Sequence, residues 1–301
     1  MPTGRVLMVE PIGFRANAET AEDNAFQQSP APDLGGGPLA ETRAGEEFRR
    51  FRAALEGRGI DVVLFAFRDG ARTPDAVFPN NWFTTHPDGT AILYPMRAAS
   101  RRRERRAEIL TFLQRHYREV VDLSPAQKNG HFLEGTGSLV IDERSRTVYA
   151  SLSSRTDRHM VSDWADRFGY SPIVFTSRDE SGRQVYHTNV VMSVGSEFAI
   201  VCVEAIVGDV ERSRVVNALK ESGREVIGIS LDQMRSFCAN VLEMESAEGR
   251  RQVVMSERAW SAFTPDQRIM LGEHAEILHS SLGTIETLGG GSARCMLAEL
   301  Y

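Results

Sequence analysis

Three glycines, Gly289, Gly290 and Gly291, lead through Ser292 and Ala293 to Arg294 and Cys295, which is how a chain could present a reactive thiol. Consecutive glycines let the backbone take positive φ and approach a ligand closely. A neighbouring cation favours the thiolate, the nucleophilic form of cysteine. A glycine-rich turn before a last strand, or a buried thiol acting as a small apolar group, accounts for the same residues without chemistry. Partners decide between these readings, because a nucleophilic cysteine needs a histidine and a carboxylate from elsewhere in the chain.

Four other stretches carry such groups. Asp75, Asn80 and Asn81 stand at the end of an apolar run reaching Trp82 and Phe83. Buried amides and carboxylates must find partners, and a polar substrate head is one, although Pro79-Asn80-Asn81 is also ordinary turn chemistry. Glu134 lies between Leu133 and small residues at a strand start, and His187, followed by Asn189, opens another apolar run. A lone histidine in that position serves equally as a structural residue. From Ser100 to Arg106 five arginines crowd a helix start, where the macrodipole disfavours cations. An anion would resolve the conflict, and a helix start with a guanidinium forms a carboxylate site; a solvated charged face is the plainer alternative.

Composition removes several function classes. A net charge of -6 and a pI near 5.7 lack the basic face that nucleic acid requires. Cys202, Cys238 and Cys295 are too few and too scattered for a disulfide framework, so a reducing compartment, the cytoplasm, is expected. No basic-then-apolar leader opens the chain, and no run of about 18 apolar residues suggests a membrane partner. The seven histidines are dispersed, without CxxC or HExxH spacing, so neither a metal nor another cofactor is expected.

The elements that must position these groups recur. Ala44, Phe48, Phe51 and Leu55 fall at helical spacing and Gly57 and Gly59 end that helix. A strand over 60–67 follows. Strands are then expected near 75–85 and 91–94, a helix over 100–117, a hairpin of 137–142 with 147–151, and a strand over 186–194. Thr264 and Pro265 have the N-cap and first-turn order of a helix start. The Pro- and Gly-rich stretch 28–39 reads as a lid or a passive connection. Five strand-strand-helix-strand units of about fifty residues suggest a radial repeat in one domain spanning 1–301.

With Cys295, His187 and Glu134 in this arrangement, the chain resembles the guanidino-group-modifying (pentein) enzymes: arginine deiminases, dimethylarginine hydrolases and amidinotransferases. It looks closest to citrulline-utilisation hydrolases and amidinotransferase-like proteins. The resemblance runs nearly end to end and implies an α/β, five-bladed pseudo-symmetric propeller of ββαβ modules. It implies Cys295 as nucleophile, His187 as general acid and base, and Glu134 as the carboxylate contacting His187 or the substrate nitrogens. Asp75 falls where the dimethylarginine hydrolases carry an acid, and Arg102 and Arg155 resemble their two substrate-carboxylate arginines. Asn80 and Asn81 replace acids of those hydrolases, and Asn189 replaces an aspartate of the deiminases. Paired carboxylates suit a guanidinium, whereas amides suit a neutral ureido group. The expected substrate is therefore a small amino acid, with citrulline favoured over arginine compounds. Group transfer to an amine and a non-catalytic propeller-shaped binding module are the alternatives, and the oligomeric state is left open.

Overall fold

The structure, a computed structural model, describes residues 2–28, 38–67 and 73–301. Most of the 28–39 stretch suggested as a lid lies outside the described residues. Short apolar runs cannot bury both faces alone, and here they pair in threes. The strands are β1 (Arg5–Val9), β2 (Asp61–Phe65), β3 (Phe83–Thr85), β4 (Thr90–Leu93) and β5 (Glu119–Asp122). They continue as β6 (Val140–Asp142), β7 (Thr147–Leu152), β8 (Ser171–Thr176), β9 (Met192–Val194) and β10 (Phe198–Val201). The last are β11 (Glu225–Gly228), β12 (Leu242–Glu245), β13 (Arg251–Ser256), β14 (Glu276–Ser280) and β15 (Ala298–Glu299).

These build five three-stranded sheets, ordered β15-β1-β2, β3-β4-β5, β6-β7-β8, β9-β10-β11 and β12-β13-β14. In each, the first strand runs antiparallel to the second and the second parallel to the third. A parallel pair needs a long crossover, and helices supply it. The helix Pro38–Glu56 links β1 to β2 and buries Ala44, Phe48, Phe51 and Leu55 as their spacing predicts. Each such large side chain contributes about 1.5–3 kcal/mol. Thr264 accepts from the Gln267 N–H while the Gln267 side chain reaches back, with Pro265 at the first position. Because β15 from the chain's end completes the sheet begun by β1, the repeat closes into the expected five-bladed α/β propeller. Among the described residues no helix is long and apolar enough to cross a membrane.

The sequence reading differs from the structure where the polar groups sit. The stretches expected to run straight into strands first make one helical turn: Pro79–Asn81 before β3, Gly135–Ser138 before β6, Thr188–Val191 before β9, and Ala293–Met296 before β15. Pro79 lacks the N–H that a ladder would use, and Gly135 sits at φ +45°, where a Cβ would collide with the Asn80 carbonyl oxygen. Successive side chains on a strand alternate between two faces, while those on a helical turn fan around it. The turn at Pro79–Asn81 packs against those at Gly135–Ser138 and Ala293–Met296, and Gly135–Ser138 packs against Thr188–Val191. Polar groups from four of the five blades are thus brought to a common place.

Candidate active site

Cys295 and His187 line one cleft of about 270 Å³ together with Thr20, Asn24, Asp75, Phe78, Asn81, Arg101, Arg155, Tyr186, Gly289 and Gly291. The cysteine's backbone N–H donates to Ser292 O at 3.0 Å, and Ser292 Oγ donates to the buried Glu286 carboxylate at 2.6 Å. Gly290, at φ +64°, ends the preceding helix and turns the chain toward Cys295; its carbonyl accepts from the Tyr186 hydroxyl and from Asn24 Nδ2. The cysteine is therefore held by its own loop, a neighbouring blade and the N-terminal segment.

His187 Nε2 lies 2.9 Å from Glu134 Oε2. Burial raises the Glu134 carboxyl, but the Arg155 charge, the His187 hydrogen bond and Arg101 outweigh it and bring the group down to about 2. An ionised carboxylate only accepts, so Nε2 carries the hydrogen and Nδ1 is the nitrogen able to take or give a proton. Burial, assisted by the Arg155 and Arg101 charges, holds His187 below its ordinary value against the pull of Glu134. Neutral imidazole is thus the resting form near neutral pH. The other Glu134 oxygen accepts from the Arg97 backbone N–H at 3.0 Å. Gly137 is required by space: a Cβ there would stand 2.5 Å from Asn81 Nδ2 and 2.6 Å from His187 Cε1.

Amides surround the sulfur. Asn189 Nδ2 lies 3.7 Å from Cys295 Sγ and Asn240 Nδ2 3.3 Å from it, while Asn240 Oδ1 is 3.5 Å away. Asn240 is fully buried and was not foreseen. The signal for it was present, since it is a polar residue just before the apolar run of β12, as His187 is before that of β9. Asn189 also walls a second, larger cavity of about 690 Å³ that contains neither Cys295 nor His187.

Several expected residues are placed otherwise. Arg102 does not line the cleft; its Nε donates to Met96 O and its Nη2 to Arg97 O, each at 2.9 Å. Its neighbour Arg101 takes that position, because a helical turn at Ala99–Arg102 swings adjacent side chains about 100° apart. Asn80 turns away from the cleft and donates to Thr136 Oγ1 at 3.1 Å. Arg294, the cation expected beside the thiol, points away: its Nη1 donates to Leu297 O at 2.8 Å and its Nη2 pairs with Glu299 at 2.7 Å. The anion sought at the arginine-rich helix start is the chain's own Glu19, which accepts from the Ser100 N–H at 2.8 Å.

Arg155 does line the cleft, yet it is already engaged. Its Nε lies 3.1 Å from Asp23 Oδ1, its Nη2 pairs with the same carboxylate and donates to Thr20 O at 3.0 Å, and its Nη1 lies 3.6 Å from Glu134. Asp23 also meets Arg97 at 3.1 Å and the Ser154 hydroxyl. Burial raises the Asp23 carboxyl, but Arg155, Ser154 and Arg97 more than offset that and leave it below its ordinary value. Asp75 Oδ2 accepts from Asn17 at 2.7 Å and Thr20 at 3.2 Å, while its Oδ1 has no partner among the described residues. The N-terminal segment around Asn17, Thr20 and Asp23 thus forms part of the cleft, which Thr20 and Asn24 line.

A thiol, a neutral imidazole backed by a carboxylate, and a set of buried amides are the parts needed for attack on a planar carbon bearing nitrogen. Comparisons with known proteins agree with this chemistry. No curated protein matches the sequence at a significant level. Among solved structures, the substrate-bound N-terminal domain of an arginine dihydrolase from the cyanobacterial ornithine-ammonia cycle superposes with a TM-score of 0.75 at 16% identity, covering 97% of this chain and 96% of that one. The unliganded full-length dihydrolase gives 0.74 at 17%, covering 98% of this chain and 40% of that one, so this chain spans about 40% of its length. A dimethylarginine hydrolase variant from Pseudomonas aeruginosa, complexed with citrulline, gives 0.66 at 18% with both chains fully covered. At these identities the likeness is one of fold. The family model for eukaryotic N,N-dimethylarginine dimethylhydrolases matches residues 10–301, and the chain accordingly belongs to that family of cysteine-dependent hydrolases acting on carbon–nitrogen bonds.

Proposed function

We propose that the protein hydrolyses the ureido group of citrulline to ornithine, carbon dioxide and ammonia. The observation that carries this reading is Asn81, which lines the cleft that holds Cys295 and whose buried Nδ2 has no partner among the described residues. A guanidinium offers hydrogens only and would leave that donor unsatisfied, whereas a ureido oxygen accepts from it. An unmet buried donor costs about 1–3 kcal/mol, which separates the two head groups.

In this mechanism Cys295 Sγ attacks the ureido carbon and forms a tetrahedral adduct whose oxygen receives the Asn81 hydrogen bond. His187 Nδ1 takes the thiol proton during the attack and passes it to the departing amine nitrogen, the carbon–nitrogen bond breaks, and an S-carbamoyl adduct remains on the cysteine. His187 then takes a proton from water, which attacks the same carbon; the carbon–sulfur bond breaks, and carbamate decomposes to carbon dioxide and ammonia. Glu134 holds the imidazole tautomer, Asn189 and Asn240 orient the sulfur, and Asp75 Oδ1 accepts from the α-ammonium group. Arg155 receives the α-carboxylate once Asp23 yields it.

Hydrolysis of arginine or dimethylarginine is the second reading, favoured by the family assignment and by the retained acids Asp75 and Glu134. Mass spectrometry of the products from citrulline, arginine, dimethylarginine and agmatine tests both. Ornithine with carbon dioxide as the dominant outcome is expected, and citrulline accumulating from arginine at a higher rate sinks the ureido reading. Interception of the adduct by hydroxylamine or glycine would indicate group transfer instead.

A further inference from the structure

An asparagine amide is nearly symmetric in shape, so the space around Asn81 alone does not say which end faces the cleft. Arg101 does. Its guanidinium is 2% exposed, and Nη1 donates to Asn81 Oδ1 at 2.7 Å. Arginine has no acceptor, so the end that meets it must be the oxygen and the opposite end is the NH2 group. That NH2 lies beside Gly137, where a Cβ would stand 2.5 Å from it, and has no acceptor among the described residues.

Arg101 has little freedom of its own. Glu104 grips it with Oε1 at 3.0 Å from Nε and Oε2 at 3.0 Å from Nη2, and Nη2 also donates to Phe78 O at 2.9 Å. Both side chains are almost fully buried. Glu104 stands behind Arg101 and does not line the cleft. For stability alone, an apolar pair of similar volume would serve as well as a buried ion pair. An ion pair whose spare donor is aimed at one amide oxygen has a further use.

We infer that Glu104 and Arg101 act as a buried reader that keeps the Asn81 amide with its NH2 toward the substrate and thereby selects ureido over guanidino head groups. Glu104 is a positioning residue: it acts through Arg101 and touches no substrate atom. The inference rests on the ureido reading above and extends it by assigning the selection to two residues outside the reacting set. Without Glu104, Arg101 loses its fixed pose, the amide turns over, and Oδ1 meets a guanidinium equally well.

The test is the ratio of kcat/KM for citrulline to that for arginine. In Glu104→Gln this ratio is expected to fall at least tenfold, with the larger share of the change in citrulline kcat/KM. In Asn81→Asp both ends of the side chain are oxygens, so adding Glu104→Gln to it should leave the ratio within twofold of Asn81→Asp alone. The double variant Arg101→Met/Glu104→Leu removes the charge pair together and repeats the test if Glu104→Gln does not fold. Equal losses on both substrates, or a ratio that still shifts in the Asn81→Asp background, overturn the reader while leaving the ureido reading in place. A wild-type preference for arginine overturns the ureido reading, and the response of the ratio to Glu104→Gln still decides the reader.

Discussion

Arg101 and Arg155 are both buried, both line the cleft and both meet carboxylates, yet they are held in different ways. Arg101 is gripped by Glu104, three residues along the same turn. Arg155 faces Glu134 and is hydrogen-bonded to Asp23, 132 residues away on the N-terminal segment. A local partner moves with its arginine and makes a permanent wall. A distant partner can leave, and in the proposed mechanism Arg155 would then exchange Asp23 for the substrate carboxylate. The same contrast runs through the carboxylates. Burial, opposed by Arg101 and reinforced by Asp75 and Glu134, pushes Glu104 up to about 7, whereas Glu134, equally buried but facing Arg155 and His187 as well, is drawn down to about 2.

The largest effect expected bears on the premise that both arginines serve one thiol. Cys295→Ser should lower turnover of every substrate by more than about 10³-fold with an unchanged circular dichroism spectrum; residual turnover at wild-type rates would dissolve the site. Next is Glu134→Gln, which strands the buried His187 and Arg155. Breaking such a set costs about 3–5 kcal/mol, measurable by urea unfolding. Its pH dependence has a definite sign. Glu134 binds fewer protons in the folded state, so its contribution is present above its unfolded value near 4.5 and is lost as pH falls toward about 2. His187, held below 6.5, adds stability above that pH that is lost as pH falls below it. The variant should therefore lose the drop between about 4.5 and 2 that Glu134 gives the wild type, while the His187 contribution below 6.5 remains.

A smaller change is expected at the permanent wall. Asn81→Asp should move the citrulline-to-arginine ratio toward arginine by about tenfold or more, since a site built to hydrogen-bond one head group rejects the other strongly. At the exchangeable grip, Asp23→Asn should lower KM for citrulline about threefold while leaving agmatine, which lacks the carboxylate, unchanged; the lost hydrogen bonds cost about 1–3 kcal/mol in unfolding. A KM that rises for both would mean that Asp23 is a fixed part of the wall after all. The smallest effect belongs to Cys238, whose thiol burial pushes up to about 12. Cys238→Ala should cost about 1 kcal/mol and leave both kinetic constants alone.

Much of the site could be read from the chain. The thiol, the imidazole and the carboxylate each stood where a polar side chain interrupts the start of an apolar run, and a repeated unit carries such interruptions to one axis. Arg102 shows the limit of that reading. It and Arg101 are adjacent, alike in type and equally plausible in pattern, and the choice between them depends on about 100° of rotation around one helical turn. Asn240 shows it too, because asparagine before a strand is also ordinary turn chemistry and only its burial against Cys295 sets it apart.

Residue types, spacing and periodicity determined the five units, the α/β class and the chemical character of the groups, because those follow from local covalent structure and from burial at fixed intervals. Only the closed ring decided which arginine enters the cleft and that Asp23 meets Arg155. The orientation of the Asn81 amide belongs with these. Each is a contact between distant parts of the chain, and direction in a hydrogen bond exists only once both partners are in place.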